Sequence, residues 1–158
     1  MEVGIVIIFC NNEEQIGKYF FIEQINASEK IEFCLVDNDS KDRTLQLLQE
    51  IKDACPSQLS IVEIKKNISE NSAIKAGVRY MLNHFNLKHI GFIYVNSIYQ
   101  KEKHLNTLIE SMFENQEYII DYNIKMIEKR QMNKTLSKSV FSVADYLEEI
   151  KNDDNVII

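Results

Sequence analysis

Short apolar runs, rich in β-branched residues, recur four times in the first two thirds of this chain. They cover Ile5 to Cys10, Ile31 to Val36, Leu59 to Ile64 and Ile90 to Val95. Runs that are apolar at successive positions, and not only at every second one, are typical of strands covered on both faces, as in a parallel sheet. Because helical segments separate the runs, the alternation predicts an α/β fold in which helices cover both faces of a mostly parallel sheet.

Helical periodicity fills the gaps between these runs, with apolar residues three and four positions apart. The helical faces comprise Leu45, Leu48 and Ile51, then Ile74, Gly77, Val78, Met81, Leu82 and Phe85, and finally Leu105, Leu108, Ile109, Met112 and Phe113. Asn12 precedes Glu13 and Glu14, which predicts a side-chain cap at the start of a first helix. Ile16 and Phe20 are expected to form the buried side of that helix.

The last third of the chain has a weaker pattern. From Tyr118 to Met126 apolar and polar residues alternate, which predicts a half-buried edge strand. Residues 131–138 are expected to form a loop. Ser142 and Asp145 have the spacing of a capping box, so a last helix should begin there and run through Ile150.

Composition limits the class of protein and its partners. At 158 residues, 45% hydrophobic and 27% charged, the chain fits a single globular domain over residues 1–158. The formal net charge is -6 and the basic residues are scattered, so no nucleic-acid partner is expected.

Three cysteines and the apolar segments bear on the compartment. Cys10, Cys34 and Cys55 form no C-x-x-C pair and are expected to be free thiols, mostly buried, which favours a reducing compartment. No apolar stretch approaches the roughly 18 residues that indicate a membrane span. The first residues lack the features of a signal peptide. The expected location is therefore the cytoplasm.

Polar residues follow each of the four apolar runs. They are Asn11 and Asn12, Asp37 to Ser40, Lys65 to Asn67, and Asn96 with Ser97. In an open parallel sheet, ligands bind beyond the carboxyl ends of the strands, so these residues are candidates for a ligand cleft. Strand exits are also polar for solvation alone, and the pattern does not separate the two interpretations.

Three segments, in order, resemble family 2 glycosyltransferases. Ile5 to Glu14 is similar to the opening strand of that family, an apolar run that ends in an Asn-Glu-Glu-like turn. Leu35 to Thr44 resembles the second-strand signature Val-Asp-(Asp/Asn)-x-Ser-x-Asp-x-Thr. Asn67 to Gly77 is similar to Asn-x-Gly-x-x-x-Ala-x-Asn-x-Gly, with Ser69 and Lys75 in place of a Gly and an Asn.

The resemblance covers Val3 to Met112 and implies a GT-A-like, Rossmann-like α/β/α sandwich. It implies transfer of a sugar from a nucleotide-diphosphate sugar, of the UDP type, to an acceptor. Residues 1–113 would form the nucleotide-binding core, and residues 114–158 a shortened acceptor-side or edge region.

The candidate nucleotide-binding residues are those of the matching motifs and strand exits. They are Cys10, Asn11, Glu13, Asp37, Asn38, Asn67, Lys75 and Asn96. A carboxylate such as Asp37 can accept hydrogen bonds from a base edge or a ribose hydroxyl, and the amides of Asn11 and Asn38 can both donate and accept. The alternative is that Asp37 to Asp42 form an Asx turn that caps the next helix.

The metal position departs from the family pattern. The resemblance implies an Asp-x-Asp at a strand exit, whose second acid binds Mn²⁺ or Mg²⁺ on the pyrophosphate. This chain has Asn96-Ser97-Ile98 there, and because hard cations prefer carboxylate oxygens, we predict no metal ligand at this position. As a hypothesis, fixed positive charge could replace the ion. The candidates are Lys65, Lys66, Lys101 and Lys103.

No catalytic base is identified by pattern. The acids of the last third are Asp121, Glu128, Asp145, Glu148 and Glu149. An alternative function is therefore a glycosyltransferase-like protein without catalysis, which binds a nucleotide, a partner subunit or a second copy of itself. A third alternative is a flavodoxin-like signalling receiver with Glu13 and Glu14 as its acid pair, but Lys65 and Lys66 stand where that class needs a phosphoacceptor Asp.

Overall fold

The computed structural model of this protein describes residues 3–28, 30–100, 104–114 and 140–151. In chain order its elements are β1 (Val3–Phe9), α1 (Lys18–Ala27), β2 (Ile31–Asn38), α2 (Thr44–Ala54), β3 (Leu59–Ile64), α3 (Glu70–His84), β4 (His89–Tyr94), α4 (Val95–Gln100), α5 (Leu105–Glu114), β5 (Val140–Ser142) and α6 (Val143–Lys151). Strands and helices alternate through most of this order. The predicted α/β class is confirmed.

The five strands form one sheet in the order β3-β2-β1-β4-β5, and every neighbouring pair is parallel. Every residue of β1 and of β2 is buried, which matches the apolar sequence of β1 and of most of β2. The buried polar residues of β2 are Glu32, Asp37 and Asn38. Because all the strands run in one direction, their carboxyl ends lie on one edge of the sheet. In the register, Phe9 at the end of β1 pairs with Asp37 at the end of β2.

Helices cover both faces of the sheet. On one face, a core cluster of β1 and β2 residues such as Phe9 and Phe33 packs with residues of α1, α2, α5 and α6. On the other face, α3 packs against β1 and β2 through Ala73 and Met81. A Cβ added to Gly77 would collide with the Val6 side chain and lie 3.0 Å from Cγ2 of Val36, so only glycine permits this close approach.

The first helix begins later than the sequence pattern predicts. Residues 13–15 form a turn closed by a hydrogen bond from Gln15 N to Asn12 O at 3.0 Å, and α1 begins at Lys18 after a Gly17 cap without a side-chain hydrogen bond. The prediction of Asn12 as a helix cap is wrong, because its side chain bonds elsewhere. Phe21 and Ile25 form the buried side of α1.

Helix α4 begins directly after β4, so Asn96, Ser97 and Ile98 lie in its first turn and not in an extended exit loop. At the far edge, Ser142 ends β5, and its Oγ accepts a hydrogen bond from Asp145 N at 3.3 Å, which confirms the predicted serine cap of the last helix. The predicted strand at 118–126 and loop at 131–138 lie outside the described residues. Within the described ranges, no helix has the length and apolar character needed to cross a membrane.

Candidate functional site

Two left-handed residues shape the turns after β1 and β2. Asn11 has φ 55° and Asp39 has φ 53°, a region that Asn and Asp tolerate better than other side chains do. The turns are bonded to each other, since Asn11 N donates to Ser40 Oγ at 2.9 Å and Lys41 N donates to Asn11 Oδ1 at 2.7 Å. The first two strand exits therefore form one rigid unit.

Asp37 lies beneath this unit with 2% of its surface exposed. Its Oδ2 accepts a hydrogen bond from Ser40 N, three residues on, at 3.3 Å. The Asx turn anticipated for this segment is made by Asp42, whose Oδ1 accepts from Thr44 N two residues on. Its Oδ1 is buried and has no hydrogen-bond partner among the described residues. Burial raises the pKa of the Asp37 carboxyl above its ordinary value, and the hydrogen bonds from Ser40 oppose that rise.

Asn38 and Asn67 join the exits of β2 and β3. Asn38 Oδ1 accepts from Ile68 N at 3.1 Å, and its Nδ2 donates to Ile68 O at 2.9 Å and to the Tyr94 hydroxyl at 3.4 Å. Asn67 Nδ2 donates to Asn38 O at 3.2 Å and lies 3.5 Å from Cys10 Sγ. The loop after β3 is thus held against β2 by two amide side chains.

The cysteines are free, as expected. Burial raises the pKa of Cys34 to about 12. Burial also raises the pKa of the partly buried Cys10 thiol, and the negative charge of Asp37 raises it further. Because a nucleophilic cysteine needs a lowered pKa, Cys10 contributes to the site as a neutral thiol.

Glu13 links the β1 exit to the start of α2. Its backbone N donates to Asp42 Oδ2 at 3.2 Å, and its Oε2 accepts from Arg43 N at 3.3 Å. Asp42 Oδ1 also accepts from Thr44 N at 2.9 Å. Burial alone would raise the pKa of Asp42, but hydrogen bonds from Thr44 and Glu13 hold it below its ordinary value. Glu13 and Asp42 therefore hold this connection together.

Asn96 is bonded at both ends of its amide. Its Nδ2 donates to Cys10 O at 3.0 Å, and its Oδ1 accepts from Asn12 Nδ2 at 2.7 Å. Next to it, Ser97 Oγ donates to Glu70 Oε2 at 2.8 Å. Ile98 is 4% exposed and belongs to the core cluster on the face of α1 and α5.

These residues do not fit a divalent cation. Mn²⁺ and Mg²⁺ need several oxygen ligands, carboxylates above all, whereas Ile98 offers none and Asn96 Oδ1 already accepts a hydrogen bond. No group of three or more His, Cys, Asp or Glu side chains in the described ranges is arranged to hold a metal.

A cavity of about 250 Å³ lies beside the end of β4. Phe92, Ile74 and Ile98 give it an apolar wall, and the start of α3 and the start of α6 supply Glu70 and Asp145. Tyr94 also lines the cavity, and its hydroxyl accepts a hydrogen bond from Asn38 at the end of β2.

The structure brings most of the predicted site residues together. Hydrogen bonds connect Cys10, Asn11, Asp37, Asn38, Asn67 and Asn96, directly or through one neighbour, and Glu13 joins through Asp42 and Arg43. Lys75 is apart from them. It is exposed on α3. Ala73 and Gly77 face the sheet, and Lys75, two residues from each, lies on the opposite side of the helix, about 160° away.

Asn12 is expected among the polar strand-exit residues but not among the candidate nucleotide-binding residues, and Tyr94 is expected in neither set. Asn12 is 2% exposed and bonds β1 to β4, but its position before two acids favoured a helix cap. Tyr94 carries the better signal, because a tyrosine at the end of a buried strand needs a partner for its hydroxyl. That partner is Asn38.

The sequence profile of the family described as Glycosyl transferase family 2 matches residues 4–156, and the chain belongs to that family. The resemblance drawn from three short motifs is therefore confirmed, together with the predicted GT-A-like architecture of a mostly parallel sheet between helices. Comparison with curated protein sequences found no match.

Solved structures give more distant similarities. The mannosyltransferase PcManGT from Pyrobaculum calidifontis, in complex with GDP-Man and Mn²⁺, aligns with 50% of this chain at 22% identity and a TM-score of 0.44. TarS 1-349 from S. aureus aligns with 60% of it at 15% identity and a TM-score of 0.43, and its complex with UDP at 18% identity and the same TM-score. The chain spans 24% of the PcManGT structure and 27% of each TarS structure.

Proposed function

We propose that this chain binds a nucleotide-diphosphate sugar of the UDP type at the carboxyl ends of β1 and β2, as the donor half of a glycosyltransferase. The observation that carries the proposal is the Oδ1 atom of Asp37, a buried carboxylate oxygen without a partner among the described residues. Buried polar atoms are normally hydrogen-bonded, and an unpaired one is costly, so a donor group from a ligand would stabilise this site.

Two polar groups at the ends of β1 and β2 complement the hydrogen-bonding edge of uracil. Asp37 Oδ1 is an acceptor, and Asn11 Nδ2 is a donor whose contact with Cys10 Sγ at 4.0 Å is weak. Uracil presents an imide N–H beside carbonyl oxygens, so it can donate to the carboxylate and accept from the amide. Adenine lacks an imide N–H, which disfavours an adenine nucleotide.

The neighbouring cavity suits the sugar. Its volume of about 250 Å³ exceeds that of a single hexose, and its walls combine apolar side chains with Ser97 and Asn71. A hexose has apolar C–H faces and many hydroxyls, so a pocket of mixed character can hold it. Because Tyr94 connects the cavity to Asn38, one donor molecule would span both.

On this proposal, residues 1–113 are the nucleotide-binding core and residues 114–158 are the acceptor-side or edge region. The short edge strand β5 and the helix α6 support the second assignment. For the catalytic base that would activate the acceptor hydroxyl, Asp145 beside the cavity is the first acid to test among the described residues. We keep the cytoplasm as the proposed location, because all three thiols are free.

A second candidate function is a family 2 protein without transferase activity, which binds a nucleotide, a partner subunit or a second copy of itself. The lack of a metal-binding carboxylate at Asn96 and Ile98 favours it. Turnover of a UDP-sugar by the unaltered protein would exclude this candidate. Binding of UDP without hydrolysis or transfer, across a panel of acceptors, would favour it.

Isothermal titration calorimetry with UDP, GDP, ADP and UDP-sugars tests the proposal directly. We expect UDP to bind more tightly than ADP, because the uracil edge complements Asp37 and Asn11 whereas adenine lacks the imide N–H. If none of these nucleotides binds, the proposed function is wrong. If ADP binds as tightly as UDP, the assignment of the base site to Asp37 is wrong.

The same titrations test the lysines at the β3 exit as a source of positive charge for the diphosphate. Lys65 and Lys66 are exposed. If either contacts the phosphates, Lys65→Ala or Lys66→Ala should lower the affinity for UDP more than the affinity for uridine. Lys75→Ala, on the solvent side of α3, is the matched control and should not change either affinity. Equal effects on UDP and uridine would remove these lysines from the phosphate site.

A further inference from the structure

We infer that Asn12 and Asn96 form a hydrogen-bonded link, called the strut below, between the turn after β1 and the start of α4. Nucleotide binding by this chain then does not depend on a divalent cation. The second part rests on the proposed nucleotide site, whereas the first part concerns residues whose contacts are independent of any ligand. The inference starts from Asn12 and Asn96, which bond side chain to side chain at 2.7 Å.

The backbone N and both side-chain amide atoms of Asn12 are engaged in hydrogen bonds. Its backbone N donates to Thr44 Oγ1 at 2.8 Å, its Oδ1 accepts from Cys10 N at 2.7 Å, and its Nδ2 donates to Gln15 as well as to Asn96. A side chain that is 2% exposed and bonded through both amide atoms is fixed in place. It holds the first turn after β1 against the start of α2.

Asn96 completes the strut through its two opposite ends. A carboxylate in its place could still accept from Asn12 Nδ2, but it could not donate to Cys10 O, which lies 3.0 Å from Nδ2. Two oxygens would then face each other in a partly buried setting. The amide at this position therefore suits the strut, and an acid does not.

Ile98 closes the corner from the other side. One helical turn holds residues 96 to 98, and Ile98 packs into the core cluster with 4% of its surface exposed. A carboxylate there would lose its hydration among apolar neighbours and would be unable to reach a solvated cation without rearranging α4. Both former acid positions thus serve the packing of α4 on the sheet.

The first experiment uses the wild-type protein. UDP affinity is measured by calorimetry in excess EDTA and again in excess Mn²⁺, and free Mn²⁺ is followed separately by electron paramagnetic resonance. We expect less than a twofold difference in UDP affinity and no specific Mn²⁺ binding. A tenfold gain with Mn²⁺ would overturn the inference and leave the proposed function standing. Failure of UDP to bind in either buffer would instead overturn both the proposed function and its cation independence.

The second experiment tests the strut without any nucleotide. Asn96→Asp should lower the Tm by about 2–8 °C, because a partly buried hydrogen bond is lost and an oxygen pair is created. Asn86→Asp, at an exposed position between α3 and β4, is the matched control with the same change of charge and should leave the Tm nearly unchanged. An Asn96→Asp variant as stable as the control, or one that gains Mn²⁺ binding, would refute the strut.

Discussion

The carboxyl ends of β2 and β4 lie on the same edge of the sheet, on either side of β1, yet their polar groups are used differently. At the end of β2, Asp37 keeps one buried carboxylate oxygen without a partner among the described residues. At the end of β4, Asn96 is bonded through both amide atoms and Ile98 is packed in the core. Within the described ranges, the first corner therefore has an unsatisfied acceptor, whereas Asn96 and Ile98 at the second corner are engaged in hydrogen bonds and core packing.

This difference teaches that polar residues at two strand ends of one sheet can differ in whether they keep an unsatisfied hydrogen-bonding atom. The two corners meet at Cys10, whose carbonyl accepts from Asn96 and whose thiol contacts Asn67. Because Asn96 is fully bonded and Ile98 is packed in the core, changes at the β4 corner should act on stability. Because Asp37 has an oxygen unpaired among the described residues, changes there should act on nucleotide affinity.

The largest expected effect is on stability, from Ile98→Ala. Truncation of a buried isoleucine removes apolar contacts and leaves a cavity, so we expect a loss of about 2–5 kcal/mol in the free energy of unfolding. Chemical denaturation followed by circular dichroism measures it. Ser97→Ala is the matched control, because the Ser97 hydroxyl bonds near the surface and its loss should cost less than about 1 kcal/mol. Equal losses in the two variants would contradict a structural role of Ile98.

The next effect is on affinity, from Asp37→Asn. The amide preserves shape but replaces an acceptor with a donor at one of its ends, so UDP should bind about 10- to 100-fold more weakly, as for a lost hydrogen bond to a charged group. Calorimetry measures the affinity, and Asp53→Asn, an exposed acid of α2, is the control. We expect little change in stability, since the substitution also removes a buried charge. A variant that binds UDP like the wild type would remove Asp37 from the site.

The smallest effect should appear in the pH dependence of stability, because hydrogen bonds from Ser40 partly offset the burial of Asp37. The folded pKa of this carboxyl is raised, so its contribution to stability is present below the unfolded pKa and is lost as pH rises through the folded pKa. Asp39 and Asp42 have lowered pKa values and change stability in the opposite direction. The pH dependence of stability is therefore compared between the wild type and Asp37→Asn, since Asp39 and Asp42 are present in both proteins.

In denaturant titrations from acid to neutral pH, the variant should gain stability relative to wild type as pH rises. If the difference between the two proteins is constant with pH, the Asp37 carboxyl does not titrate differently in the folded state. The same series with UDP present should show binding that strengthens as Asp37 ionises, because the carboxylate is the better acceptor.

Much of the fold could be predicted because its signals are local. The apolar runs located β1 to β4 within about one or two residues, and the three- and four-residue spacing located α2, α3 and α5. The start of α1 was not predictable in this way, since Asn12 has the side chain of a cap but bonds to Asn96, a residue far away in sequence. A local pattern does not contain a long-range competitor for the same amide.

The sequence by itself determined the alternation of β1 to β4 with helices, the family, and the identity of the polar residues at the strand exits. It did not predict α4 or β5. It also showed that Asn96-Ser97-Ile98 lacks metal-binding acids. Only the tertiary structure decided which of those residues still have free hydrogen-bonding atoms. Asp37 and Asn96 are both polar residues at or next to a strand end, and they differ in their neighbours: Ser40 satisfies one oxygen of Asp37, whereas Asn12 and Cys10 satisfy the whole amide of Asn96. The partners of Asn96 are remote from it in the chain, so these hydrogen bonds exist only after the sheet has formed.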